Sequence, residues 1–322
     1  MRTGVAWMER HQVPLYLAGL ALGAMVGLLS SDTVARAAEA AIHPVLALLL
    51  YVTFLGVPFG RIGRASRDGR FLLTVLALNF AVVPAVVWVL SRLVAHDRTL
   101  LVGVLFVLLA PCIDYVIVFA GIAGGDAERL LVAAPVLMLA QMHALPLLLW
   151  LFVGGDLVDA VEPAPFVEAF VFIVAAPLVA AALTQALAAR TRVGRVWEHA
   201  ASATMVPLMV ATLAVVVASQ IAWVGSRLGA VLLAVPVYVL FAVVMTVLGT
   251  IAGHLGRLDA TGRRAVVFSG ATRNSLVVLP LVLALPAAMD LAPLVVVTQT
   301  LVELVVMVVL VRLVPRLIRE PA

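Results

Sequence analysis

The sequence predicts an all-α polytopic membrane protein, and three observations carry that prediction. Hydrophobic residues make up 65% of the 322 and charged residues only 12%, with a mean hydropathy of +1.20. A soluble globule keeps roughly a quarter of its residues charged. Apolar runs long enough to cross about 30 Å of hydrocarbon recur from end to end. All 21 basic residues are arginine, and most of them gather in the short segments between those runs, as topology determinants do.

Ten apolar runs can be read, at approximately 14–30, 41–60, 71–94, 99–123, 129–153, 164–189, 200–222, 228–253, 263–285 and 291–314. The connections test that count. Basic segments run from Arg61 to Arg70, from Arg190 to Arg195 and from Arg257 to Arg264, and the C-terminal end adds Arg312, Arg316 and Arg319. An acidic connection with Asp156, Asp159 and Glu162 lies between them. Ten crossings put 16 arginines on one side and four on the other, with Arg273 inside a span. The positive-inside rule then makes both termini cytoplasmic. Arg2 and Arg10 precede the first run, but no short apolar core with a small-residue cleavage site follows, so the N-terminus does not read as a cleaved signal.

Ten spans divide into two fives, 1–155 and 156–322. Because five is odd, halves of like fold must sit inverted, the design of many secondary transporters. Two interruptions support the division. Span four breaks at Ala110-Pro111-Cys112-Ile113-Asp114-Tyr115, and span nine at Ser269-Gly270-Ala271-Thr272-Arg273-Asn274-Ser275. Both set helix-weakening residues and polar groups in an apolar run. A bilayer tolerates such breaks where freed backbone groups line a cavity or are buried in protein; the plainer alternative is a pair of kinked helices.

Composition also excludes function classes. No phosphate-binding G-x-x-x-x-G-K-[ST] loop, no His-Glu-x-x-His zinc helix and no glycine-framed serine nucleophile occurs. The reading is therefore not an enzyme, with no cofactor and no metal site, and any transport draws on an ion or substrate gradient. A sequence pI near 10.0 does not point to nucleic acid, because the charge sits in connections facing a lipid bilayer.

A charge near the bilayer centre costs at least about 2.5–3.5 kcal/mol, so Asp114, Arg273 and Glu303 each need a reason. Asp114 and Arg273 hold corresponding places in the two breaks. If the broken helices cross, they could form a pair that opens for substrate or a proton, or a permanent structural ion pair. Glu303, in Thr298-Gln299-Thr300-Leu301-Val302-Glu303-Leu304, suits a proton relay; it could equally cap a neighbouring broken helix. The further polar interruptions, Asn79, Gln141, His143 and Gln220, read first as hydrogen-bonding glue between helices. Cys112 is the only cysteine. It is either a small apolar residue or, beside a helix break, a soft and labile foothold for a ligand.

The string Ala110-Pro111-Cys112-Ile113-Asp114-Tyr115-Val116-Ile117-Val118-Phe119 resembles the fourth-span motif of the arsenite-efflux permeases, within the bile acid/sodium symporter superfamily. Leu78-Asn79-Phe80 with Pro84, Thr272-Arg273-Asn274-Ser275 and Leu301-Val302-Glu303-Leu304 are similar to other parts of that family. The resemblance implies ten helices in a panel and a core domain, with two discontinuous helices crossing beside the substrate and ion sites. It implies a substrate role for Cys112. It departs in two places. Arsenite permeases carry an acidic residue just after the paired polar residues of span nine, where Leu276 stands here. Sodium-coupled members carry a Glu shortly before the Asn-Ser, where this chain has Ser269 and Arg273. An arginine there would repel sodium, so proton coupling is expected.

The resulting expectation is a plasma-membrane permease exporting arsenite or a related metalloid oxyacid in exchange for protons. Cys112, Asp114, Arg273, Asn274 and Ser275 would bind substrate, Asp114 and Glu303 would couple protons, and Asn79, Gln141 and Thr272 would support them. The alternative is an ion-coupled symporter of a small organic anion, its carboxylate held by Arg273.

Overall fold

The computed structural model describes residues 7–8, 11–29, 32–56, 68–113, 115–154, 170–224, 228–286, 289 and 291–319. Asp114, the basic segment up to Arg67, Asp156, Asp159, Glu162, Arg2, Arg10 and the side chains of Gln220 and Leu276 lie outside the described residues. Among those described, the chain is helical, with no strand beyond a single isolated bridge.

In chain order the helices are α1 (Gln12–Leu29), α2 (Asp32–Leu55), α3 (Gly69–Ala77), α4 (Val83–Ser91), α5 (Arg98–Leu108), α6 (Tyr115–Ile122), α7 (Ala127–Val153) and α8 (Ala176–Arg190). There follow α9 (Arg192–Ser202), α10 (Met205–Val224), α11 (Leu228–Leu232), α12 (Ala234–Leu255), α13 (Ala260–Ala271), α14 (Ser275–Leu283) and α15 (Ala292–Leu317). Among the described residues, four rods are long and apolar enough to cross a membrane by length and composition: Gly69–Val94, α7, α12 and α15. A fifth arises if α9 and the start of α10, which meet at 42°, count as one span. Large apolar side chains such as Leu29, Leu73, Leu147, Phe172 and Val247 face outward. An apolar exterior of that extent belongs in lipid, since a soluble monomer exposes no comparable patch. The protein is thus a multi-pass membrane protein.

Among the described residues two π-helical turns occur, at Leu78–Val82 and Phe170–Ala175. Each ends two residues before a proline, Pro84 or Pro177. Proline has no N–H to give to the carbonyl one turn back, and a widened turn absorbs that loss. The first π turn carries Asn79 to a fully buried position.

The chain packs as two compact units, one formed by 1–56 with 164–228 and the other by 57–163 with 229–322. Each unit therefore draws on both sides of residue 155. In the first, α1 lies on α10 and α2 lies on α8 and α10. Gln185 on α8 donates to the carbonyls of Leu55 (3.0 Å) and Phe54 (3.3 Å), satisfying acceptors that the end of α2 leaves open. Tyr51 links Thr184 (2.9 Å) and the Trp197 indole N–H (3.0 Å).

In the second unit, Asp68, Asp126 and Asp259 stand at the N-caps of α3, α7 and α13. All three carboxylates converge on Arg129. Arg264, the last arginine of a basic connection in the sequence, lies in α13 and is buried. It donates to the carbonyls of Ile318 (3.0 Å) and Gly124 (3.1 Å), the C-terminal ends of α15 and α6, where a cation is favourable. Five helix ends are thereby tied together.

Candidate functional site at the crossing of two broken helices

The second unit contains both breaks, and the backbone joins them. α5 stops at Leu108 and α6 starts at Tyr115; α13 stops at Ala271 and α14 starts at Ser275. Pro111 and Arg273 form an antiparallel bridge, and the Asn274 N–H donates to the Ala110 carbonyl at 2.8 Å. The plainer alternative of two merely kinked helices is therefore set aside.

Breaking α13 redistributes its last hydrogen bonds. In an unbroken helix the Arg273 and Asn274 amides would serve the carbonyls of Ser269 and Gly270. Here the Arg273 amide donates to Glu303 Oε2 at 2.8 Å, and the Asn274 amide goes to Ala110. The Arg273 side chain takes over: its Nη2 donates to Ser269 O (2.9 Å) and Gly270 O (2.8 Å). The same nitrogen reaches Asn79 Oδ1 at 2.8 Å, and Nη1 reaches Leu108 O at 3.4 Å. The guanidinium also lies 5.3 Å from the centre of the Phe241 ring, within range of a cation–π attraction. Arg273 has no exposed surface.

Asn79 in turn donates to Val75 O and Ser269 Oγ, both at 3.0 Å. Gly270 is what lets the π turn approach, because a Cβ there would stand 2.7 Å from a Leu78 methyl. Asn274 caps α14 by accepting the Val277 N–H at 3.1 Å, while its Nδ2, buried, has no hydrogen-bond partner. Ser275 Oγ pairs with Thr300 Oγ1 at 2.7 Å. Thr272 turns back onto Phe268 O at 2.8 Å.

Glu303, in the middle of α15, is buried and accepts from Gln299 Nε2 as well as from the Arg273 amide. Gln299 Oε1 is buried without a hydrogen-bond partner. A cavity of about 10 Å³, lined in part by Tyr238, Phe241, Gln299 and Glu303, adjoins them; that is room for about one water. Cys112 is buried in the span-four break, one residue from the bridge.

The structure thus brings together Asn79, Thr272, Arg273, Asn274, Ser275 and Glu303 at the crossing where Cys112 lies. Gln141 stands elsewhere in the unit, buried on α7, with an Oε1 that has no hydrogen-bond partner. The sequence alone assigned no role to Ser269, Gln299, Thr300 or Phe241. Gln299 and Thr300 lie in the polar stretch that leads to Glu303; Gln299 stands one helical turn before it, and that i, i+4 spacing is the available signal.

A helical membrane protein whose broken helices cross beside a buried carboxylate has the frame of a secondary transporter. The family model described as the sodium bile acid symporter family matches residues 43–227, more than half of the chain. The chain belongs to that family. Its members are transporters rather than enzymes. A comparison with curated proteins finds no match.

Proposed function

We propose that the chain exports arsenite or a related metalloid oxyacid across the plasma membrane in exchange for protons. In this reading ten spans, in inverted halves 1–155 and 156–322, form panel and core domains corresponding to the two compact units, and both termini are cytoplasmic. Alternating crossings require the starts of α3, α7 and α13 and the ends of α6 and α15 to share a side, and those five ends meet at Arg129 and Arg264.

The observation that carries the reading is the pair formed by Glu303 and Gln299 at the crossing. With Glu303 ionised, Gln299 gives it an N–H and leaves Oε1 idle. A protonated Glu303 has an O–H to donate, and a rotated Gln299 amide would accept it. Glu303 also holds the Arg273 amide, so its proton is linked to the geometry of the break. Asn274 Nδ2 offers a buried donor, and a small hydroxylated solute supplies both an acceptor and a donor. Cys112 supplies a single soft atom, suited to weak and exchangeable contact with a metalloid. Asp114 and Glu303 are the candidate proton carriers.

The family's description names sodium and bile acid, and the second reading is ion-coupled symport of a small organic anion. The engagement of the Arg273 guanidinium with four oxygens speaks against its use as a carboxylate clamp. The two readings separate in sodium-free everted vesicles. Arsenite addition should move protons, and Glu303→Gln should abolish that movement while the protein stays folded. Cys112→Ser should weaken arsenite resistance in a sensitive host. Absence of protection by the unmodified chain, together with sodium-driven uptake of an organic anion, would overturn the metalloid reading.

A further inference from the structure

Three oxygens, Asn79 Oδ1, Ser269 O and Gly270 O, lie within 2.9 Å of Arg273 Nη2. That nitrogen carries only two hydrogens, so the three oxygens share them and at least one hydrogen is split between two acceptors. They surround a point of positive charge, as carbonyl oxygens surround an ion in a selectivity filter. Leu108 O adds a fourth oxygen on Nη1 at 3.4 Å. Three of the four are carbonyls from the C-terminal ends of two half-helices, α5 and α13, where the helix dipoles are negative. Unwound carbonyls at half-helix ends are the usual hosts of a coupling cation in transporters.

The backbone accounting explains why these carbonyls are open. The amides that would have served Ser269 and Gly270 have been sent to Glu303 and Ala110, and Asn79 is aimed by the π turn before Pro84. The cage is therefore formed by main-chain carbonyls and the Asn79 amide, not by the arginine side chain that fills it.

We infer that Arg273 is a tethered cation: its guanidinium occupies a site shaped for a free monovalent cation, and removing it opens that site to sodium. The inference concerns ion occupancy alone and holds whatever the cargo proves to be.

The test uses the full chain purified in detergent, with Tm followed by tryptophan fluorescence at constant ionic strength. Exchanging choline chloride for sodium chloride should leave the Tm of the unmodified protein unchanged. Arg273→Ala should lower the Tm, and sodium, though not choline, should raise it again in a saturable manner. Millimolar guanidinium should do the same by refilling the cage. Arg129→Ala, outside the cage, should lose stability with no sodium-specific recovery. If Arg273→Ala is recovered folded only when extracted with sodium or guanidinium, the inference stands. A sodium-specific shift in the unmodified protein, or an Arg273→Ala chain that neither cation restores, would overturn it.

Discussion

Asn79 and Thr300 show how much a single polar side chain contributes inside an apolar unit. Asn79→Leu removes an acceptor from a buried guanidinium and a donor from Ser269. Hydrogen bonds to charged groups contribute about 1.5–3 kcal/mol, so a stability loss of about 2–3 kcal/mol should appear in reversible unfolding in mixed micelles. Thr300→Val strands the Ser275 hydroxyl; interhelical hydrogen bonds in membranes contribute less, and a loss of roughly 0.5–2 kcal/mol is expected in the same measurement. The sequence exposed Arg273, Asn274, Ser275 and Glu303 because polar residues in apolar runs are conspicuous. It did not expose their bonding. Whether Glu303 receives an amide from 30 residues away depends on where the chain folds back, and no local pattern encodes that.

At the scale of elements, both breaks were legible because proline, glycine and polar residues cluster where a helix cannot pay for them. The π turns are not legible in the sequence, even beside Pro84, because a proline in an apolar run predicts a disturbance without its type. Helix packing holds a further signal in the sequence. Gly19 and Gly23 form a small-x-x-x-small pair on α1, a spacing that lets helices approach closely. A Cβ on Gly23 would come within 2.4 Å of Ala214 O on α10. Gly23→Leu should therefore push α1 from α10 and cost about 1–3 kcal/mol, the range for overpacking, seen as a lower Tm and faster proteolysis of the first unit.

At the scale of the whole molecule, the sequence made the all-helical membrane class plain, because hydropathy is a sum over many residues and tolerates local error. The compact units were harder to read from linear halves, since each gathers segments distant in sequence. Topology can be tested in a Cys112→Ser background. Cysteines at Arg257 and His96 should react with impermeant maleimide from opposite sides, Arg257→Cys from the cytoplasm; labelling from one side would refute ten crossings. Acid stability provides another measurement. Burial raises the pKa of Asp259, but hydrogen bonds from Thr261 and Arg129 and the arginine's charge outweigh it and leave that carboxyl below its ordinary value. A lowered folded-state pKa stabilises above the unfolded value and is lost as pH falls through the folded one. Tm should therefore decline on acidification below the usual carboxylate range, and Asp259→Asn should flatten that decline.

The antiparallel bridge between Pro111 and Arg273, with its amide from Asn274 to Ala110, is made of main-chain atoms. A seam of that kind is indifferent to most side-chain replacement. Positions 112 and 275, which border it, can be varied without unpicking it, so diversification of cargo and retention of architecture become separable problems. Under the metalloid reading, a library of small residues at those two buried positions should return mostly folded proteins with altered resistance profiles, making the crossing a natural starting point for engineering selectivity.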